Sequence, residues 1–450
     1  MDILDKAHKM LERYSLCDYC LGRQFALLGY EMENNDRGRI IKALLTMRGH
    51  KLILQDNEDG INLLKVLASN GFSDMARKIL QRTRIAFDDS VLSCYLCDNC
   101  FARLPNIISK IIETLKEYEY NSFLVGIKLP LNVEEREDEF KAEFNVQYGE
   151  SMRSSFSRVI GKMIFEATKK TVNHSAPEVT ILVNPFTEEF KIQANPLYIL
   201  GRYRKLKRGI PQSRWICTRC RGWGCPRCNW TGKMYPESIE ELIAGPVLRS
   251  TQGEDSAFHS AGREDIDALM LGPGRPFIIE IKRPKKRIID LQKLEKTINE
   301  EAKGKIEVLN LRFADKSAVQ KLKRLEGAQK VYRVLVEFER GITDKELKVI
   351  EEAFTNVVIR QRTPIRVLHR RADKIREKYI YEMKVKRLAR NRVELRIRCQ
   401  GGLYIKELVT GDDGRTVPSI SSLIAVKAVP KELDVVDIII KDGLLQNGKV

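Results

Sequence analysis

The chain has 450 residues, of which 43% are hydrophobic and 31% charged, a balance typical of a globular protein with several domains. Its net charge is +18 and its isoelectric point is near 9.4, which favours a polyanionic partner such as nucleic acid. The alternative is that the excess lysine and arginine only keeps the protein in solution. A run of about 18 apolar residues and a signal peptide are both absent, so we expect a cytoplasmic protein with no membrane partner.

The first hundred residues predict a small helical region. Apolar residues recur at helical spacing from Ile3 to Tyr14. Residues 36–48, 60–70 and 73–83 show similar patterns and are predicted to be helices.

Nine of the ten cysteines fall in Cys-x-x-Cys groups, which in a reducing cytosol are typical of metal sites. The repeated heptapeptides C-D-Y-C-L-G-R and C-D-N-C-F-A-R predict two turns that face one ion, with Cys94 as a competing ligand. Four thiolates form a closed shell, so we predict structural zinc at both sites, and an iron–sulfur cluster is less favoured. The predicted ligands are Cys17, Cys20, Cys97 and Cys100 in the first site and Cys217, Cys220, Cys225 and Cys228 in the second.

A small α/β unit is predicted next, with strands at 122–129, 140–146, 179–184 and 190–194 and a helix at 151–170. It leads into R-Y-R-K-L-K-R-G-I-P-Q-S-R-W at residues 202–215. Dense positive charge with interleaved aromatic residues suits phosphate contact and base stacking, so this stretch favours RNA binding. The alternative is a solvated linker.

From about residue 235 helices lie beside what is predicted to be a largely antiparallel sheet, so the fold class is α+β. The sequence lacks a P-loop, a dinucleotide-binding glycine motif and a Gly-x-Ser-x-Gly elbow, which disfavours phosphate-cofactor enzymes and serine hydrolases. The predicted strands are 276–282, 305–311, 330–338, 356–361, 377–386, 392–399 and 433–440, and the predicted helices are 289–302, 316–325 and 343–354.

An acidic turn, A-G-R-E-D-I-D at residues 261–267, interrupts this basic chain. A carboxylate there could hold Mg²⁺ with its neighbour, act as a nucleophile, or cap the turn through backbone hydrogen bonds. Arg263 lies in the same turn, and a cation there favours one ionised carboxylate over a metal cluster.

The turn and the G-P-G-R-P-F-I-I-E-I that follows resemble the active-site motif of the pseudouridine synthase family numbered ten (Pus-ten). The stretch C-Q-G-G-L-Y-I-K-E-L-V-T-G-D-D-G-R-T-V-P-S at 399–419 is similar to the superfamily's Gly-x-Tyr-Ile-Arg/Lys-x-Leu motif. The zinc-rich layout is similar to the archaeal members. The resemblance implies that Asp265 is the catalytic nucleophile.

The resemblance also implies substrate-binding roles. Tyr332 would stack on the target base, although it alternates with valines on its strand and could be a core residue. Tyr404 would contact the substrate, and Lys406, which shares its face if the segment is extended, would pair with the catalytic carboxylate. Arg263 would lie near the flipped nucleotide, and Leu423 is a looser match to an apolar residue beneath the base.

The activity implied is isomerisation of uridine to pseudouridine in the TΨC arm of tRNA, at uridine 55 and also at uridine 54, with no organic cofactor. The nucleophile could attack the sugar or the base. We expect a monomer that binds tRNA and not DNA. The alternatives are a non-catalytic zinc-dependent RNA-binding protein and another THUMP-bearing tRNA modification enzyme.

The implied organisation has four parts. A zinc-bound helical region covers 1–104 and a THUMP-like RNA-binding domain covers 105–215. A zinc knuckle covers 216–234, and the α+β catalytic domain covers 235–450.

Overall fold

A computed structural model of the protein describes residues 2–88, 90 and 92–440. The chain divides into two units, residues 1–195 and 196–450, which are considered separately below. Every helix within the described ranges is too short or too polar to cross a membrane.

The first unit begins with the predicted helices, each of which is confirmed. Helix α4 is capped by Asn57, which accepts a hydrogen bond from the Asp59 amide, and α5 is capped in the same way by Ser73. The helices are α1 (Ile3–Arg13), α2 (Asp18–Gly22), α3 (Asn34–Ile53), α4 (Glu58–Ser69), α5 (Asp74–Arg82) and α6 (Cys100–Leu115).

A four-stranded sheet in the order β2-β1-β3-β4 completes this unit. The predicted strand at 140–146 is wrong, because this stretch lies mostly in a helix whose buried side chains Val133, Glu137 and Phe140 recur at helical spacing. The elements are β1 (Ser122–Ile127), α7 (Leu131–Glu143), α8 (Met152–Thr168), β2 (Thr171–Val172), β3 (Val179–Asn184) and β4 (Glu189–Ala194).

The second unit is built on a ten-stranded sheet in the order β13-β10-β11-β12-β9-β14-β7-β5-β8, with β6 paired to β7. Its described strand pairs are antiparallel apart from β7 with β14, as predicted. The strands are β5 (Leu197–Lys205), β6 (Asp255–Ser260), β7 (Leu269–Lys282), β8 (Ile306–Ala314), β9 (Gln329–Phe338), β10 (Val357–Arg362), β11 (Ile375–Ala389), β12 (Arg392–Cys399), β13 (Thr416–Val417) and β14 (Ala428–Ile439).

Six helices accompany this sheet, and the alternating buried residues of β9 pack into the core beneath them. The α+β class is therefore confirmed. The helices are α9 (Ile239–Thr251), α10 (Leu291–Glu301), α11 (Lys316–Arg324), α12 (Asp344–Ala353), α13 (Ile405–Thr410) and α14 (Ile420–Leu423).

One part of the sequence-based organisation differs from the sheet. Strand β5, which lies in the range 105–215 assigned to the THUMP-like domain, pairs with β7 and β8 in the second unit. The four domain boundaries stay predictions, and residues 441–450 of the predicted catalytic domain lie outside the described residues.

Candidate active site

The acidic turn connects β6 to β7, and cations on and after β5 hold its backbone. The buried Lys205 donates to the carbonyls of Ile266 (2.7 Å) and Asp265 (3.3 Å), and Arg208 donates to that of Asp267 (2.8 Å). Burial lowers the pKa of Lys205 to about 8 despite the nearby carboxylates. The turn is therefore fixed by donors that reach it from a neighbouring strand.

These contacts bear on the interpretation of residues 202–215 as a phosphate-binding stretch, which stays a prediction. Several of its arginine and lysine side chains already donate to protein carbonyls and carboxylates, so part of their hydrogen-bonding capacity is used within the protein. Lys207 is exposed. The remaining contacts run from Arg202 to the Gly274 carbonyl, from Arg204 to the Gly272 carbonyl and Glu307, and from Arg208 to Glu432 and Asp434.

Glu264, the first carboxylate of the turn, is buried and has hydrogen-bond partners within the protein. Its side chain is 1% exposed and accepts a hydrogen bond from Arg275 Nε at 2.8 Å. The Tyr203 hydroxyl donates to the same carboxylate at 3.0 Å, and burial raises the pKa of Tyr203 well above its usual range. A paired and enclosed carboxylate of this kind stabilises the turn rather than meeting a substrate.

Asp265 lines a cavity and lies close to two cations. Its Oδ2 lies 3.3 Å from Arg366 Nη2 and 3.5 Å from Lys406 Nζ. Lys406 also bonds Asp267 at 2.7 Å. Burial acts to raise the pKa of Asp267, but the hydrogen bond and charge of Lys406 and the charge of Arg366 outweigh it and lower the pKa. The structure thus places the predicted Lys406 beside Asp265 and adds a second cation.

Arg366 was not among the residues predicted from the sequence. It lies in a short 3₁₀ turn (Ile365–Arg370) after β10, and its Nε donates to Glu407 Oε1 of α13 at 2.6 Å. The Glu407 side chain is 6% exposed. Burial would lower the pKa of Arg366, but the Glu407 hydrogen bond and the charges of Asp265 and Glu407 raise it. No local motif marks Arg366, because only the tertiary fold brings it to the acidic turn.

A cavity of about 160 Å³ opens beside Asp265. The structure brings four further predicted residues to its wall, namely Arg263, Tyr332, Tyr404 and Lys406. Tyr332 is 9% exposed, and burial raises the pKa of its hydroxyl above the usual range, so the hydroxyl is neutral. The remaining lining residues are Glu264, Ala268, Lys330, Arg366, Val367, Arg371, Gly402, Leu403, Ile405, Leu433 and Val435.

Tyr404 and Lys406 line this cavity, but the segment that carries them is not extended. Tyr404 is the N-cap of α13, so Lys406 lies within the first turn of a helix. The Tyr404 backbone is fixed by Gln361, which exchanges two hydrogen bonds of 2.8 Å with it. The Tyr404 hydroxyl accepts a hydrogen bond from Arg371 at 3.0 Å.

Leu423 is not one of the described residues that line the cavity. It ends α14 and is 37% exposed. The apolar wall is formed instead by Leu403, Leu433 and Val435. Val435 pairs directly with Tyr332 across β14 and β9, and such partners share one face of a sheet. The assignment of Leu423 beneath the base is therefore corrected in favour of these three residues.

Comparison with known proteins agrees with this site. Residues 198–439 match the family described as Pus10, C-terminal, and residues 107–184 match the Pus10 THUMP domain, archaeal. A protein named tRNA pseudouridine synthase Pus10 from Methanocaldococcus jannaschii is 43% identical, over 100% of this chain and 96% of its own length. The chain belongs to the Pus10 family. The resemblance inferred from the sequence motifs is thus confirmed.

Other matches point the same way or add nothing. A protein of the same name from Methanothrix thermoacetophila is 39% identical, again over 100% of this chain and 96% of its own. A Cbf5-Nop10-Gar1 crystal structure is similar at 16% identity and a TM-score of 0.30, covering 53% of this chain and 48% of that one. A structural likeness this weak does not bear on the Pus10 assignment.

This Pus10 family member also has two groups of four cysteines, which do not line the cavity. Within each group the sulfur atoms all lie within 4.8 Å of one another. Tetrahedral thiolates at about 2.3 Å from a zinc ion would be about 3.8 Å apart. The Cys217–Cys225 and Cys220–Cys228 sulfurs are 3.9 and 3.8 Å apart, and the Cys17–Cys97 sulfurs 3.7 Å. Both groups fit a metal ion such as zinc.

The first group contains Cys94 in place of Cys100, which corrects the predicted ligand set. The members are Cys17, Cys20, Cys94 and Cys97. The Cys94 sulfur accepts a hydrogen bond from the Cys17 amide at 3.3 Å. Cys100 instead begins α6 and its sulfur accepts from Arg103 at 3.2 Å. The heptapeptide repeat suggested Cys100, but the helix start directs its side chain to other partners.

Arg366 is expected to contribute to turnover. The Arg366→Gln variant removes one of two cations beside Asp265, so we expect kcat to fall roughly tenfold or more with a smaller change in KM. Arg366→Lys, which keeps the charge but loses the hydrogen bond to Glu407, is expected to fall between. The measurement is single-turnover pseudouridine formation on a tRNA transcript.

The matched control for this variant is Arg360→Gln. Arg360 lies on the neighbouring β10 and pairs at 3.5 Å with Glu377, and both side chains are 65% exposed. Exposed pairs of this kind contribute little to stability. If Arg360→Gln slows the reaction as much as Arg366→Gln does, the effect comes from general charge and not from the contact with Asp265.

Arg208 is expected to act through stability and the turn rather than through RNA affinity. It bonds the Asp267 and Leu433 carbonyls and the Asp434 carboxylate, which is 1% exposed. We expect Arg208→Gln to lower the free energy of unfolding by about 2 kcal/mol, because buried groups lose a charged partner. Denaturant titration measures this loss, and filter binding over a salt series is expected to show an unchanged slope.

Its control is the exposed neighbour Lys207. If Lys207 contacts a phosphate, Lys207→Gln is expected to reduce the slope of log affinity against log salt by about one unit or less, with no loss of stability. If Arg208→Gln changes the salt slope but leaves the free energy of unfolding unchanged, the phosphate-binding interpretation of this stretch is favoured.

Proposed function

We propose that the chain is a tRNA pseudouridine synthase that isomerises uridine in the TΨC arm, at uridine 55 and also at uridine 54, with Asp265 as the nucleophile. One observation carries the proposal. The Asp265 carboxylate, held by Arg366 and Lys406, lies at a cavity walled by two tyrosines and aliphatic side chains. Such a cavity suits one flat base that has left the RNA stack.

The reaction requires no co-reactant, because substrate and product are isomers. The bond between ribose C1′ and uracil N1 breaks, the uracil turns, and C1′ bonds to C5. The C5 proton is lost and N1 gains one. Asp265 supplies the nucleophile, at the sugar or the base, and its two neighbouring cations orient the carboxylate.

The cavity walls have a separate task. The detached uracil must remain enclosed while it turns, and apolar contacts restrain its plane without fixing one edge by hydrogen bonds. Tyr332, Leu433 and Val435 offer such contacts, and the neutral Tyr332 hydroxyl adds no charge. Tyr404 and Arg263 also line the cavity and would contact the flipped nucleotide.

Further proposals concern the rest of the molecule. We place structural zinc in both cysteine groups, because their sulfur spacing fits a tetrahedral ion and four ligands leave no open position. The THUMP-matching residues 107–184 would bind another part of the tRNA. The protein would act as a cytoplasmic monomer on tRNA and not on DNA.

A cofactor-free reaction tests the proposal against its rivals. An unmodified tRNA transcript is incubated with pure protein, and pseudouridine is then mapped. We expect the product at positions 55 and 54 without any additive. A product that appears only with a methyl donor or a nucleotide would favour another THUMP-bearing modification enzyme. Binding without any modified nucleotide would favour a non-catalytic RNA-binding protein.

A further inference from the structure

A second cavity adjoins the first along the acidic turn. It has a volume of about 210 Å³ and shares with the first cavity the residues Arg263, Glu264, Asp265, Arg366 and Lys406. A ligand that fills the first cavity would therefore contact side chains that also line the second. For a substrate that is a chain of nucleotides, the adjoining space is where the next unit would lie.

The walls that belong to the second cavity alone are chemically different from those of the first. They include Trp215, Gln212 and Ser213, from the segment between β5 and the second cysteine group. An indole ring is a stacking surface that accepts any base. Gln212 Nε2 already donates to the Tyr203 hydroxyl at 2.6 Å and to the Gly262 carbonyl at 3.1 Å, so Gln212 Oε1 and the Ser213 hydroxyl are the groups that would bond the edge of a base. These are features of a nucleobase site, and the carboxylates of Asp265 and Asp267 line its other side.

The shared wall carries three cations, Arg263, Arg366 and Lys406, at the junction of the two cavities. A phosphate that links two neighbouring nucleotides would pass through this junction. Cationic side chains are the usual partners of such phosphates. The negative charge of Asp267 at the same place is offset by its 2.7 Å contact with Lys406.

Trp215 is held in position by the chain that follows the cysteine group. Its carbonyl accepts a hydrogen bond from the Met234 amide at 2.9 Å, and its ring meets that of Tyr235 edge-on at 5.6 Å. The adjacent residues Ile216 and Lys233 form an isolated β-bridge. The indole is therefore a fixed platform that needs little ordering when a base stacks on it.

We propose that the second cavity binds the nucleotide next to the target uridine, with its base stacked on Trp215 and the connecting phosphate at the shared cations. The inference rests on the proposed function. A target that leaves the stack also unstacks its neighbour, and Trp215 would replace the lost stacking contact.

A cycle of protein and RNA changes tests this. Single-turnover rates at subsaturating protein are measured for wild type and Trp215→Ala on three transcripts, with pseudouridine read at position 55 alone. The transcripts are the full tRNA and two that carry an abasic nucleotide on the 5′ or the 3′ side of uridine 55. We expect Trp215→Ala to slow the full tRNA roughly tenfold. On one of the abasic transcripts the two proteins should react at similar rates, because the stacked base is already gone.

The controls separate stacking from folding. Trp223 lies between Cys220 and Cys225 of the nearby cysteine group and is 93% exposed, so Trp223→Ala is expected to match wild type. Trp215→Phe should recover most of the rate. The exposed Ser213 offers a second variant, since Ser213→Phe would fill the cavity. It should slow the full tRNA but not the same abasic transcript.

Two outcomes would contradict binding of a neighbouring base in the second cavity. If the Trp215→Ala and Ser213→Phe losses are the same on all three transcripts, or if neither variant loses rate, the second cavity does not bind a neighbouring base. Wild-type protein that forms no pseudouridine on the full tRNA would instead contradict the proposed function itself.

Discussion

Replacing Asp265 with asparagine is expected to lower pseudouridine formation by several orders of magnitude, because the amide cannot act as the nucleophile. The fold should survive, since Arg366 keeps its bond to Glu407 and Lys406 its bond to Asp267. Affinity for tRNA should be unchanged or slightly higher, because one negative charge near the phosphates is removed. Single-turnover mapping and filter binding measure the two quantities.

Asp267→Asn is the matched control, two residues away in the same turn. The Asp267 side chain is 67% exposed and bonds Lys406, so its loss should release Lys406 toward Asp265 and slow the reaction much less. Equal losses for both variants, together with a requirement for Mg²⁺, would favour a metal held by the paired carboxylates.

The second large effect is expected at the first cysteine group. Cys94→Ser removes one of four sulfurs that lie together, whereas Cys100→Ser changes a residue outside the group. A structural zinc site contributes on the order of 10 kcal/mol to folding, which is comparable with the stability of a whole domain. We therefore expect Cys94→Ser to unfold the helical part of the first unit.

Metal analysis and limited proteolysis measure this difference. Wild type and Cys100→Ser should each contain about two zinc ions per chain, and Cys94→Ser about one. The second unit of Cys94→Ser should remain resistant to proteolysis, because the other cysteine group is intact. Loss of metal in Cys100→Ser but not in Cys94→Ser would restore the ligand set predicted from the repeat.

The sequence predicted most elements of the fold because local periodicity marks them. The alternation of Tyr332, Val334 and Val336 predicted both strand β9 and its buried face. The strand predicted at 140–146 was wrong because Phe140 and Phe144, four residues apart, share one face of a helix as well as one face of a strand. Only the longer spacing from Val133 to Phe140 separates the two.

The site was partly predictable for a related reason. Motifs that are continuous in sequence, such as those around Asp265 and Tyr404, could be compared with a known family. Arg366 reaches the acidic turn only through the tertiary fold, so neither spacing nor composition indicated it. Trp215 was visible as part of the basic aromatic stretch, but its position beside the acidic turn was not. The charge of residues 202–208 was visible in the sequence, but its internal partners were not.

The most direct test uses a tRNA transcript whose uridines carry tritium at C5, incubated with pure wild-type protein and no cofactor. Formation of the C1′–C5 bond must displace the label. We predict release of one tritium for each pseudouridine formed at positions 55 and 54, and no release with Asp265→Asn. Absence of release by wild type, or release by Asp265→Asn at the wild-type rate, would contradict the assignment of Asp265 as the nucleophile of a cofactor-free isomerisation.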